Sequence, residues 1–292
     1  PEKIKAYEDE YGILDWRVGF KIAEDVAKQE FCTFKHKKEA IEVGIRTGFA
    51  YLTLGIVAAP LEGFIGIDIK KRKDGKEYLA VRYAGPIRGA GGTASSTSVI
   101  LADYVRTKMG YATWDPSDKE VSRYVTEVND YHERVTNLQY RPSDDELSFM
   151  LNNLPIEVAG DSTERIEVSN YKDLPRIETN LIRGGVALVL AEGLCQKAPK
   201  LWKRLSKWGN DFDLEWNFMG EFLKLKEKIH ASHSAKSDEP NTVKANDTFI
   251  ADIVAGRPVL THPLATGGFR LRYGRTRLSG FSAAGVHPAT LE

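Results

Sequence analysis

The chain has 292 residues, 42% hydrophobic and 28% charged, with 41 basic and 41 acidic side chains; it can bury one large core or two ordinary ones, and its zero net charge gives no global sign of a nucleic-acid binder. Its apolar runs fall short of the roughly 20 residues a membrane span needs, and the opening PEKIKAYEDE lacks the apolar core of a signal peptide. Cys32 and Cys195 form no C-x-x-C pair, which excludes a disulfide framework and a zinc ribbon.

These features lead to the expectation of a soluble cytoplasmic protein. With no initiator methionine and a terminal Leu291-Glu292 like a cloning scar, the chain reads as a piece of something longer.

In chain order, DWRVGFKIAEDVAKQE and KKEAIEVGIRTGFAYLTLGI carry apolar residues at three- and four-residue spacing and predict two helices. The second should end before APLEG, where Pro60 and Gly63 break it. The alternating runs FIGIDIKKR and EYLAVRYAG, joined by KDGK, predict a hairpin turning at Asp74-Gly75. A glycine loop follows, then a helix from Thr93 to Met109. Ser117 with Glu120, and Ser143 with Glu146, fit the capping box that opens a helix.

IEVAGDSTERIEVSN predicts a second hairpin. A long helix begins near Gly184, with Pro199 dividing it, and another covers Leu214 to Ile229 with Trp216, Met219, Phe222 and Leu223 on its core face. HASHSAKSDEPNTVKAND, residues 230–247, is too polar to order itself and reads as a flexible linker. Beyond it, 248–292 changes character to strands and turns. The expected class is α+β: a helix-rich N-terminal domain over 1–229 with two short β-hairpins, then the linker, then a short β-rich segment.

Charge is sorted locally. From Ile253 to Leu291 there are five arginines and no acid, and from Gly193 to Asn210 five lysines or arginines and again no acid. In GGFRLRYGRTRLSGF, Phe269, Leu271 and Tyr273 alternate with Arg270 and Arg272, and Arg275 and Arg277 repeat the spacing. Arginines beside aromatics on a strand suit phosphate and base contacts, against a solvated edge or intramolecular ion pairs. Lys197, Lys200, Lys203, Arg204 and Lys207 lie opposite the apolar Leu201, Leu205 and Trp208, as a DNA-facing patch or an ordinary solvated helix face.

Gly89 to Ala94 match the loose G-x-G-x-x-A dinucleotide pattern. No second strand ending in an acid follows, and no lysine follows the glycines as a phosphate loop requires, so a nucleotide cofactor is disfavoured. Two readings stay open: a tight connection, or a helix start whose N–H groups at Gly91, Gly92 and Thr93, with Arg88, hold a backbone phosphate. His230 and His233 lack a carboxylate partner for a metal site. Asp211 and Asp213 in NDFD read as helix-capping residues rather than as metal ligands.

Residues 60–95, PLEGFIGIDIKK through EYLAVRYAGPIRGAGGTAS, resemble the large subunit of the archaeal family D DNA polymerases, which carries a PLEG segment and then YAGPIR-x-x-GGTA. The likeness continues through PSDKEVSRYVTEVNDYHERVTNLQY, NLPIEVAG, ETNLIRGGVALVLAEG and GGFRLRYGRTRLSGFSAAGVHPAT. The resemblance implies a DNA-directed DNA polymerase in replication, working by two Mg2+ ions on a core of double-psi β-barrels. The family's aspartate motif lies further along than this sequence reaches, so no catalytic or metal residue is carried over, no cofactor is expected here, and this piece alone should be inactive.

It further implies that 1–229 is the N-terminal domain and 248–292 the truncated approach to the polymerase core. The partners it implies are DNA, the small exonuclease subunit, a sliding clamp through parts outside this chain, and a second copy, with a nucleoid-associated location. The alternative is a purely structural module that docks the small subunit or self-associates without touching DNA.

Overall fold

The computed structural model describes residues 1–54, 59–235, 253–254 and 257–258. The chain divides into two units, 1–227 and 228–292. In the first, helices α1 (Glu2–Tyr11), α2 (Trp16–Ala27), α3 (Lys37–Leu52) and the short α4 (Ala59–Gly63) precede a hairpin, β1 (Phe64–Lys71) and β2 (Glu77–Tyr83). Then come α5 (Ile87–Lys108), α6 (Asp118–Arg134), α7 (Asp144–Asn153) and β3 (Glu157–Gly160). A continuous helical run closes the unit: α8 (Gly184–Leu188), a π segment (Val189–Cys195) and α9 (Gln196–Trp208), followed by α10 (Phe218–Ala235). In the second unit, β4 (Ile253–Val254) pairs antiparallel with β5 (Arg257–Pro258). The fold is α+β and helix-rich, as the sequence implies. No described helix is long and apolar enough to cross a membrane.

Helix α2 starts where Asp15 accepts from the Arg17 amide, and it buries two faces. Trp16, Phe20, Ala23 and Ala27 join the main core, while Val18 and Ile22 pack with Tyr51 in a smaller cluster covered by Ile4, Tyr7 and Tyr11 of α1. That cover explains α1, which is mostly polar and buries no residue fully. Helix α3 ends at Leu52, before APLEG as expected, and APLEG itself forms the short α4. Helix α5 is the central strut, packed against α2, α3, α9 and the π segment.

Both capping boxes form as the spacing predicts: Ser117 with Glu120 opens α6, and Ser143 with Glu146 opens α7. The expected hairpin also forms, with Ile67 facing Val81 and Ile69 facing Leu79. The expected hairpin over 156–170 does not fold on itself. Glu157–Gly160 joins the sheet parallel to β2, giving the order β1-β2-β3, and Glu167 bridges Leu181. The reason is a buried polar knot, since Glu157 accepts from Tyr78 Oη at 2.8 Å, Tyr124 Oη at 3.1 Å and Lys70 Nζ at 3.0 Å. The parallel position gives this buried carboxylate three donors, as a buried carboxylate needs.

Pro199 does not divide its helix. It sits inside α9, and the irregularity lies upstream in the π segment. A proline removes the amide that would serve the carbonyl four residues back; that carbonyl, Cys195, receives Lys226 Nζ at 3.4 Å. The helix expected over Leu214 to Ile229 begins at Phe218 and continues to Ala235, and so includes His230 and His233. Trp216, Met219 and Phe222 are buried as expected.

Candidate nucleic-acid interface

The glycine stretch expected as a loop is a helical turn, 87–90, broken from the rest of α5 at one residue. Gly91 has φ 76° and ψ 153°, a conformation that needs glycine, and it is exposed with open space where a Cβ would stand. The helix restarts at Gly92. A Cβ there would collide with the carbonyl oxygen of Glu192 in the π segment and come within 2.9 Å of Lys197 Cε. One glycine thus makes the kink and the next lets α9's approach reach it. Ser95 and Ser96 pin the restart by donating to the Gly92 carbonyl at 3.0 and 2.8 Å.

Across from this restart runs α9. Ala198, Leu201 and Leu205 are buried, which turns Lys197 and Lys200 toward the kink. Lys200 Nζ donates to Thr93 Oγ1 at 3.4 Å. Together Gly91, Gly92, Thr93, Ala94, Lys197 and Lys200 form one wall of a groove of about 420 Å³, and Trp16, Phe49 and Leu52 form the other. No acidic side chain lines it. An anion entering here meets two ammonium groups beside the Thr93 hydroxyl.

The other candidates separate. Arg204 stacks its guanidinium over Trp16 at 4.4 Å, closing the groove's edge, and Lys203 and Lys207 stay exposed along α9. Arg88 turns away: it donates to Glu192 Oε1 at 3.3 Å and to the Asn137 carbonyl at 3.4 Å, and Glu192 also accepts the Gln139 amide. Its charge is paired with Glu192 of the π segment and does not line the groove. Arg270, Arg272, Tyr273, Arg275 and Arg277 lie outside the described residues.

Asp211 and Asp213 do not cap α10, which starts later; Asp213 pairs with Lys108 Nζ at 2.6 Å and stays exposed. Among the described residues, no three His, Cys, Asp or Glu side chains gather as a metal site.

The sequence reading missed the apolar wall. Trp16, Phe49 and Leu52 carry a helical pattern that signals only core, and their meeting with the kink is a tertiary event. Lys197 is one of a row in the sequence, with nothing local to single it out.

Comparison with known families places the chain. The family model for the DNA polymerase II large subunit DP2, N-terminal, matches residues 2–225, and that for the central domain of the same subunit matches 235–292. The DNA polymerase II large subunit of Nanoarchaeum equitans is 45% identical over 315 aligned positions, covering 99% of this chain and 25% of that relative. The subunit of Methanothermobacter thermautotrophicus is 43% identical, covering 99% and 26%, and that of Pyrococcus horikoshii 41%, covering 99% and 22%. The chain thus spans about a quarter of the length of the curated relatives it matches.

Proposed function

Since the chain belongs to the DNA polymerase II large subunit DP2 family, we propose that it is the N-terminal part of the large subunit of a DNA-directed DNA polymerase, acting in replication. Its own share is non-catalytic: it holds template–primer DNA by the backbone while residues elsewhere in the subunit carry the two Mg2+ ions and the chemistry. The relatives' names support the polymerase role, and with it DNA and a small subunit as partners.

The observation that carries the DNA contact is the convergence of two segments over a hundred residues apart in sequence. The kinked start of α5 and the lysine face of α9 meet at Thr93 and Lys200, in a groove lined by two lysines and by no acid. A phosphodiester fits that wall, and Lys203 and Lys207 extend the cationic track along α9. Arg270, Arg272, Tyr273, Arg275 and Arg277 are proposed as a second set of contacts, on the pattern of their sequence alone.

A second reading, assembly, draws on three apolar side chains that the fold leaves in water. Ile13 is 79% exposed, Leu14 51% and Leu54 59%, and the Tyr51 hydroxyl ties their two elements together by accepting the Leu14 amide. Such a patch suits a docking partner, the small subunit or a second copy.

One experiment separates the readings. Fluorescence anisotropy of a labelled primer–template is followed across a salt series for the wild type, Lys197→Ala/Lys200→Ala, and the alanine quadruple at Arg270, Arg272, Arg275 and Arg277. Contact at the groove flattens the plot of log K against log salt by about 0.9 per lost phosphate. Slopes unchanged by the lysine pair would sink the groove. Absent DNA binding, with mass rising with concentration in sedimentation, would favour assembly.

A further inference from the structure

A second cationic groove lies at the other end of α5, where residues 113–120 pass under the β1–β2 turn. It encloses about 340 Å³ and is lined by Lys71, Arg72, Lys73, Ser117, Lys119, Glu120, Leu174, Pro175 and Arg176. The two grooves share no lining residue.

The floor is already neutral. Arg176 is clamped by Asp115 Oδ1 at 2.5 Å and by Glu120 at 2.8 and 2.6 Å. Arg72 spends its Nη1 on Thr113, on the carbonyl at 2.8 Å and the hydroxyl at 3.0 Å, and its Nε lies 3.3 Å from Asp74. The start of α6 is closed as well, because Glu120 accepts the Ser117 amide and Ser117 caps Glu120. Arg176 is therefore fully engaged, and Arg72 is ion-paired with Asp74 and held on Thr113, although its buried Nε makes no hydrogen bond.

What remains free is the rim. Lys71, Lys73 and Lys119 are exposed, and none has an ion pair within 4 Å among the described residues. Between them lie Leu174 and Pro175.

We propose that this groove docks an acidic peptide segment of a partner protein, its carboxylates on Lys71, Lys73 and Lys119 and an apolar side chain against Leu174 and Pro175. Charge complementarity selects the class. Three flexible ammonium groups around a small apolar floor suit carboxylates spaced about a buried anchor. Stacking aromatics strengthen the hold on a nucleic-acid strand, and no aromatic side chain lines this groove.

The test uses the whole chain and a fluorescein-labelled ten-residue peptide of Asp, Glu and Leu, read by anisotropy. The wild type is expected to bind with a Kd of ~100 μM or tighter. Lys71→Gln/Lys73→Gln/Lys119→Gln should weaken binding about tenfold, while Lys197→Ala/Lys200→Ala leaves it unchanged. Leu174→Ser should weaken it too, and so should replacing every Asp and Glu of the peptide by Asn and Gln. The glutamine substitutions are at exposed sites, and circular dichroism checks that the fold persists. No binding at roughly 1 mM, or equal binding by wild type and the triple variant, overturns the proposal. So does a ten-nucleotide oligothymidylate that depends on the same three lysines and binds tighter than the peptide; that result assigns the groove to nucleic acid.

Discussion

Glu127 holds the Arg183 guanidinium in a site from which both groups are excluded from water. Its Oε2 lies 2.7 Å from Arg183 Nη2, and its Oε1 also accepts the Arg183 backbone amide at 2.6 Å. Arg123, fully buried beside them, comes no closer than 3.7 Å to the same carboxylate, and its Nε and Nη1 donate to nothing. Burial pulls the Arg123 guanidinium below its usual range; at Arg183 burial acts the same way, but Glu127 with Tyr124 and Glu157 pushes it above. The two arginines are therefore unequal. Glu127→Gln strips the counter-charge from a buried cation and should cost about 3–5 kcal/mol in denaturant unfolding. Arg123→Met gives up a half-satisfied charge, keeps the bulk, and should cost clearly less. Equal losses would mean that Arg123 is as well paired as Arg183. Neither role is legible in sequence, where Arg123 and Glu127 look like one exposed i,i+4 pair on a polar helix.

At the scale of elements, what the sequence disclosed was local. Ser117 and Glu120, or Asp74 and Gly75, act within four residues of each other, and their patterns predict the cap and the turn that form. What it hid depends on distant partners. The strand Glu157–Gly160 chooses β2 over its own downstream neighbour because Tyr78 and Tyr124 wait for Glu157. Pro199 is tolerated because Lys226 reaches the carbonyl it leaves behind. Arg88 leaves the candidate groove because Glu192 sits across from it.

The kink in α5 stands between the two cases. Its glycines are plain in the sequence, but the separate duties of Gly91 and Gly92 appear only when the π segment packs against them. Gly91→Ala should cost about 1–2 kcal/mol for its positive φ alone. Gly92→Ala forces α5 and the π segment apart and should cost more, roughly 3 kcal/mol, with a greater loss of DNA affinity. Thermal unfolding of both variants checks the order, and a reversed order would refute the division of duties.

For the whole molecule, acid is the informative stress. Burial alone would raise the Glu24 carboxyl, but hydrogen bonds from Lys28, Tyr104 and Lys21 bring it down to about 2. Burial also opposes ionisation at Asp15, Asp115 and Glu120, and there Arg17 and Arg176 pull the carboxyls below their usual values. A carboxyl depressed by folding contributes stability above its unfolded pKa, near 4 to 4.5, and loses it as pH falls toward the folded value. Asp103 runs the other way, since burial raises it despite Arg106. The depressed group is the larger, so stability should fall between about pH 4.5 and 2. Glu24→Gln should be less stable at neutral pH and show a shallower acid loss, as read by urea midpoints across that range. A parallel pH profile would remove Glu24 from the account.

The sheet has one further consequence, for the order of events in time. Its middle strand, β2, cannot gain its second neighbour until Glu157–Gly160 exists, and α5, α6 and α7 all lie between them in the chain. Closing so long a loop is entropically slow and rewards the chain only at the end. During synthesis, that edge of β2 therefore gains only the Ala112 bridge at Tyr78 after α5, and the unit locks only after its distant third strand arrives.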